Sequence, residues 1–273
     1  VSSPPDRRPG RPDGRPNLAE RTGERWRPPA LEPPKSGVGR LAFAVRRFLD
    51  LQVGSIWNDV AGDLGAASGK VVDVGCGAQP YRALLPPTVR YVGLDIAAAG
   101  ERFGYARPDT IYFDGGRWPV EAGGADLVLC TEVLEHVIEP RVLLAEAHAA
   151  LRPGGQLLMT VPFAARWHFV PYDYWRFTPS SLKHLLEEAG FADIVVRARG
   201  NALTVACYKA MALFLPLLFP QGANRLLALM LRLVALPFTP LFMALACTAN
   251  LSIRGPGGDD CLGYTVKARR SRT

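Results

Sequence analysis

The sequence predicts an α/β domain whose largely parallel sheet is covered by helices on both faces. Short apolar runs alternate with helical ones through the middle of the chain, the pattern of strand–helix–strand crossovers. Two of the runs, Asp126-Leu127-Val128-Leu129-Cys130 and Gln156-Leu157-Leu158-Met159-Thr160-Val161, are almost wholly apolar, as central strands buried on both faces must be. The third observation is Val71-Val72-Asp73-Val74-Gly75-Cys76-Gly77, followed by Tyr91-Val92-Gly93-Leu94-Asp95-Ile96. An apolar strand breaks into a loop with glycines two residues apart, and a second strand ends on an acid about twenty residues later, which is the arrangement of a nucleoside-binding unit. Where a pyrophosphate-binding loop has its third small residue, this chain has Pro80. A nucleoside carried without phosphates is the better fit.

Residues 1–37 are rich in Pro, Arg and Gly and hold eight basic residues against five acids; a disordered basic tail is expected, without the apolar stretch of a secretory leader. Residues 38–66 read as N-terminal helices, the first carried by Leu41, Val45, Phe48, Leu49 and Leu51 and a second over 56–66. A core over 67–200 follows: strand 70–74, helix around 79–86, strand 90–95, short strand 110–113, strand 126–130, helix 139–151 and strand 155–161. Leu151-Arg152-Pro153-Gly154-Gly155 stops that helix and turns into the strand. Thr178-Pro179 opens a helix over 179–189, and strand 191–198 succeeds it. Residues 201–255 read as an apolar helical insertion, with Pro237 and Pro240 interrupting it, and 256–273 as the last strand with a basic tail.

The 273 residues carry a net charge of +7, concentrated in the tails, where Lys267, Arg269, Arg270 and Arg272 are expected to be solvated. Specific nucleic-acid binding is therefore not expected. Five scattered cysteines, Cys76, Cys130, Cys207, Cys247 and Cys261, point to reduced thiols in the cytoplasm, and no metal set is apparent. Cys76 reads as a small side chain filling the space between two glycines.

Taken in order, these blocks resemble the class I S-adenosylmethionine-dependent methyltransferases, especially the small-molecule branch. The blocks are the glycine loop, Asp95, Cys130-Thr131-Glu132-Val133-Leu134-Glu135-His136-Val137 after the fourth strand, and the Leu151–Gly155 turn. The resemblance covers about residues 65–200. It implies a Rossmann-like, seven-stranded, mostly parallel sheet flanked by helices, with Cys261-Leu262-Gly263-Tyr264-Thr265-Val266 as the final strand. It also implies S-adenosyl-L-methionine as cofactor and S-adenosyl-L-homocysteine as product. The implied cofactor-binding set is Asp73, Gly75, Cys76, Gly77, Asp95, Ile96, Asp114, Gly115, Thr131 and Glu132. Asp73 would orient the glycine loop and help hold the methionine ammonium, Asp95 would accept both ribose hydroxyls, and Asp114 would sit beside adenine, although Asp114-Gly115-Gly116 also reads as an ordinary turn. Glu135 would cap or orient the following segment, and His136 would pack against the glycine loop.

The acceptor is expected beyond strand five, in the aromatic-rich segment Val161–Thr178, because parallel sheets bind ligands at the carboxyl ends of their strands. Trp167, His168, Tyr172 and Tyr174 are the pocket candidates. His168 is the leading general base, with Asp173 or Tyr172 replacing or orienting it, while Trp175 and Phe177 close the structure and Arg176 pairs with an acid. The reading is in-line methyl transfer to a small aromatic or heterocyclic specialised metabolite. The alternative is a lipid or quinone methyltransferase at a membrane surface, motivated by residues 233–253, which carry no charge. The insertion is read as a lid, a homodimer interface or a peripheral membrane contact, with a spanning segment disfavoured by its prolines and polar residues.

Overall fold

A computed structural model describes residues 18–20, 30–34, 36–104, 107–218 and 224–272, so most of the expected tail and residues 219–223 lie outside the described residues. The sheet has seven strands: β1 (Lys70–Val74), β2 (Arg90–Ile96), β3 (Thr110–Phe113), β4 (Ala125–Thr131), β5 (Leu151–Pro162), β6 (Phe191–Arg199) and β7 (Gly263–Arg270). They lie in the order β3-β2-β1-β4-β5-β7-β6. β7 runs antiparallel to both β5 and β6, and every other pairing is parallel.

The helices are α1 (Gly37–Leu49), α2 (Leu51–Gly65), α3 (Ala99–Phe103), α4 (Pro140–Ala150), α5 (Pro179–Glu188), α6 (Ala202–Ala212), α7 (Leu215–Leu218), α8 (Arg225–Ala235) and α9 (Thr239–Ile253). Alternation along the strands divides the core. Val72, Val74, Val128, Cys130, Leu157 and Met159 meet Leu143 and Leu144 of α4 and Leu182 and Leu186 of α5. Val71, Leu127, Leu129 and Leu158, on the opposite face, meet Ile56, Val60 and Leu64 of α2.

Several boundaries differ from expectation, each for a local reason. The Asp50 carboxylate accepts the Val53 amide and caps α2, so Leu51 opens the second helix instead of closing the first. The helix expected at 79–86 is only a 3₁₀ turn, Pro80–Leu84, entered through Gln79 in the left-handed region (φ 57°). Leu151 already pairs with Ala125, and the Arg152–Gly155 turn is an excursion within β5. The last strand begins at Gly263 and runs through Arg270, so much of the supposed basic tail is sheet. Lys267 pairs with Asp63 at 2.7 Å. Arg270 donates to the carbonyls of His148, Ala149 and Leu151 where α4 ends. Pro240 lies in the first turn of α9, where its missing N–H costs nothing.

α6 packs along α9, and together with Phe48 and Leu51 they enclose a third cluster built on Val205, Met211, Ala246 and Ala249. Asn201 caps α6 reciprocally with Thr204, and Asn224 caps α8.

Candidate cofactor and acceptor site

β1, β2, β4 and β5 end at one edge of the sheet, and the loops that follow them build the site. The glycine loop is forced by contact. Gly75 (φ 63°) and Gly77 (φ 52°) both adopt left-handed backbone, and a Cβ on Gly75 would overlap the Val133 side chain. The loop between β4 and α4 therefore closes directly on the loop after β1. Cys76 is buried, its N–H donates to the Leu94 carbonyl, and burial pushes its thiol up to about 12. It fills space and is not a thiolate nucleophile.

Asp95, not Asp73, orients the glycine loop. One of its carboxylate oxygens accepts the Gly77 N–H at 2.9 Å and the other its neighbour's, Ile96, at 2.8 Å. Burial raises its pKa and the two backbone donors oppose that rise. Each oxygen keeps a second lone pair, the geometry needed for two adjacent ribose hydroxyls. Asp73 is fully enclosed instead. Its Oδ2 accepts from the Tyr91 hydroxyl at 2.7 Å, while Oδ1 is buried with no hydrogen-bond partner among the described residues. Burial, with Asp95 adding to it against the Tyr91 bond, lifts the Asp73 carboxyl to about 7. An orphaned acceptor beside two glycines fits the ammonium group the cofactor would bring.

Asp114 is exposed and accepts the Gly116 N–H at 2.9 Å, so it forms the local turn while Gly115 lies over Ile96. At the end of β4, Glu132 takes up left-handed backbone (φ 52°) and pairs with Arg199 at 2.9 Å, next to Thr131. Sequence reasoning missed Arg199. Its side chain is wholly buried and reaches Ser55, Gln52 and the Val161 carbonyl, tying β6, α2, β5 and Glu132 together. Its position as the terminal residue of β6, directly before Gly200-Asn201, was the one available signal.

The loop after β5 is organised by a buried carboxylate. Asp173 receives Arg176 at 2.6 and 2.8 Å and the His168 backbone N–H at 3.0 Å, and its Oδ2 lies 2.9 Å from His168 Nδ1. Burial alone would raise the Asp173 pKa, but Arg176 and His168 outweigh it and hold the carboxyl well below the usual carboxylate range. Asp173 thus orients His168 rather than replacing it. Tyr172 lies beneath the Arg102 guanidinium, 4.7 Å from ring centroid to Cζ, and its carbonyl receives His136 Nδ1 at 2.7 Å. Trp167 is half-buried, whereas Tyr174 is exposed and contributes its N–H to the Glu135 carbonyl. Phe177 enters the core and Trp175 donates to the Val137 carbonyl.

His136 does not pack on the glycine loop. Its ring meets Phe103 at a tilt and Phe169 and His168 edge-on, where burial, reinforced by His168, depresses its pKa to about 4. The Glu135 side chain provides no cap among the described residues, where both its carboxyl oxygens are buried without a hydrogen-bond partner, and burial drives its pKa well above the usual value. Glu135, His136 and His168 bring three ligand-type atoms within 4.8 Å of one another, a cluster the sequence did not announce. Burial disfavours the ionised carboxylate that a metal would require. An open groove along β6, lined by Asn58, Arg197, Asp259 and Tyr264 among others, includes none of the glycine-loop residues.

Residues 45–196 match the profile of a family described as "methyltransferase domain". The chain is 30% identical over 132 residues to a probable S-adenosylmethionine-dependent methyltransferase of Mycolicibacterium smegmatis, covering 44% of this chain and 51% of that one. It is 33% identical over 128 residues to a human thiol S-methyltransferase, covering 42% and 50% respectively. The matches thus span about half the length of these relatives. Among solved structures, an S-adenosylmethionine-dependent methyltransferase from Archaeoglobus fulgidus superposes with a TM-score of 0.50 at 16% identity, over 84% of this chain and 99% of that one. That likeness concerns the fold.

Proposed function

The chain belongs to the methyltransferase-domain family, and we propose that it transfers a methyl group from S-adenosylmethionine to a small aromatic or heterocyclic metabolite. The observation that carries the acceptor reading is the aromatic loop after β5, with His168 held by the buried Asp173 at its centre. Bound S-adenosylmethionine supplies an electrophilic methyl on a sulfonium, so the protein's work is alignment in line with the departing sulfur and exclusion of water.

Asp95 binds the ribose hydroxyls, Asp73 the ammonium, and Ile96, Asp114 and Gly115 border the base. Thr131 and Glu132, the latter fixed by Arg199, border the methionine moiety. His168 Nδ1 faces Asp173, which leaves Nε2 as the atom that accepts a proton from a hydroxyl, thiol or carbon acceptor. Trp167 and Tyr172 flank the acceptor ring. The exposed apolar insertion favours a second reading, an acceptor of lipid or quinone type met at a membrane surface.

A radiolabelled-methyl transfer screen over phenols, heterocycles, thiols and quinols, with product fragmentation, tests this. A labelled aromatic or heterocyclic product supports the reading; label confined to isoprenoid quinols favours the second; no transfer to any acceptor contradicts both.

A further inference from the structure

We propose that the outer faces of α8, α9 and α1 dock this protein on an anionic lipid surface, lying in the interface without spanning it. The helical run Arg225–Ile253 is 29 residues long and apolar enough to cross a membrane by length and composition, yet only 6% of its most apolar window is buried in the protein. A core helix would be mostly covered. On α8, Leu226, Leu229, Met230 and Leu233 share one face and are 54–68% exposed. Val38, Leu41 and Val45 form a similar stripe on α1. Side chains of this size gain when they leave water, and a patch this long marks an interaction surface.

Charge selects the occupant. From Ile194 to Gly258 the chain has no Asp or Glu, while exposed Arg225 and Arg232 on α8 and Arg254 at the end of α9 are basic. α1 likewise carries Arg40, Arg46 and Arg47 and no acid. Arg225 and Arg232, seven residues apart, flank the apolar face of α8 along one side, where their long stems can lie on lipid while the guanidinium meets a phosphate. A second copy of the chain, paired through a twofold axis, would bring the same all-positive faces together.

The inner side of α9 explains why the run lies on the surface. Phe242, Leu245, Ala246 and Ala249 pack into the cluster with α6, and the Asn250 amide donates to the Phe48 carbonyl at 2.9 Å. Crossing a bilayer would strip these contacts away. The same bundle reaches the acceptor side, since Ala164 packs into it and Lys209 donates to the Ala164 carbonyl. An apolar acceptor would then enter from the lipid phase. That last step rests on the proposed methyl transfer; the docking itself does not.

The test is flotation of the full chain, without cofactor, with vesicles of phosphatidylcholine alone or mixed equally with phosphatidylglycerol. A thiol-reactive, polarity-sensitive dye on Cys247, the exposed cysteine on α9, gives a second readout. The expected result is binding to the mixed vesicles with a blue shift, release in high salt, and roughly tenfold weaker partition for Arg225→Gln/Arg232→Gln. Leu229→Glu/Leu233→Glu should weaken it at least as much. Both pairs are exposed, and unchanged circular dichroism and S-adenosylmethionine affinity show that the variants remain folded. Protein left in the supernatant with the mixed vesicles, as monomer or dimer, overturns the proposal. So does binding that ignores lipid charge and survives alkaline carbonate, which would mean a spanning helix. Vesicle binding by a chain that takes up no S-adenosylmethionine would sink the methyl-transfer reading and leave the docking standing.

Discussion

The glycine loop and the loop after β5 open at the same edge of one sheet, yet they are held by different means. The first is set by backbone: left-handed glycines, a Val133 side chain occupying the space a Cβ would need, and Asp95 accepting two main-chain N–H groups. The second is set by side chains: Asp173 gathers Arg176 and His168, and His136 reaches the Tyr172 carbonyl. A backbone-built site tolerates little change and binds one invariant ligand shape. A side-chain-built site can be refitted to a new acceptor without disturbing the other.

The sharpest way to break this division is at Asp95. Asp95→Ala removes a buried carboxylate that holds the loop and, in the proposed reading, the ribose, so S-adenosylmethionine affinity should fall by roughly a hundredfold or more. Calorimetry on folded protein checks it, and an unchanged affinity would remove Asp95 from the site. Gly75→Ala should cost roughly 1–3 kcal/mol of stability, since it adds left-handed strain to the clash with Val133. Val133→Ala in the same chain should recover the steric part in thermal melts; no recovery would mean that Val133 does not set the loop.

A pH dependence follows from Asp73. Its folded pKa of about 7 lies above that of an unfolded carboxyl, so the cofactor-free fold holds more protons than the unfolded chain between about pH 4 and 7. Stability should therefore fall as pH rises through that window, and Asp73→Asn should flatten the slope. An ammonium placed against Asp73 favours its ionised form, so cofactor binding near pH 6.5 should release a proton, measurable by calorimetry in buffers of different ionisation enthalpy. The smallest effect is expected at Trp167. Trp167→Ala should raise acceptor KM by roughly threefold to tenfold while leaving cofactor affinity unchanged; a larger effect on cofactor than on acceptor would move Trp167 to the other half.

The same contrast explains what was legible in the sequence. Strand periodicity and the Gly75–Asp95 spacing are local, and they placed the sheet, the glycine loop and the site's edge. Arg199 meets Glu132, 67 residues away, and Gln52, 147 residues away, a tie that no local pattern announces. The resemblance leads to the expectation that Asp73 orients the glycine loop, whereas its hydrogen-bond partner is Tyr91 on the adjacent strand. The basic C-terminus looked like a solvated tail, since nothing local shows that Arg270 faces the orphan carbonyls at the end of α4.

The division itself is tested most directly on one preparation of His168→Ala, by measuring S-adenosylmethionine binding and acceptor turnover together. The expected result is cofactor affinity within a few-fold of the parent and turnover of a proton-losing acceptor down roughly a hundredfold. Near-normal turnover, or a selective loss of cofactor binding, would contradict it.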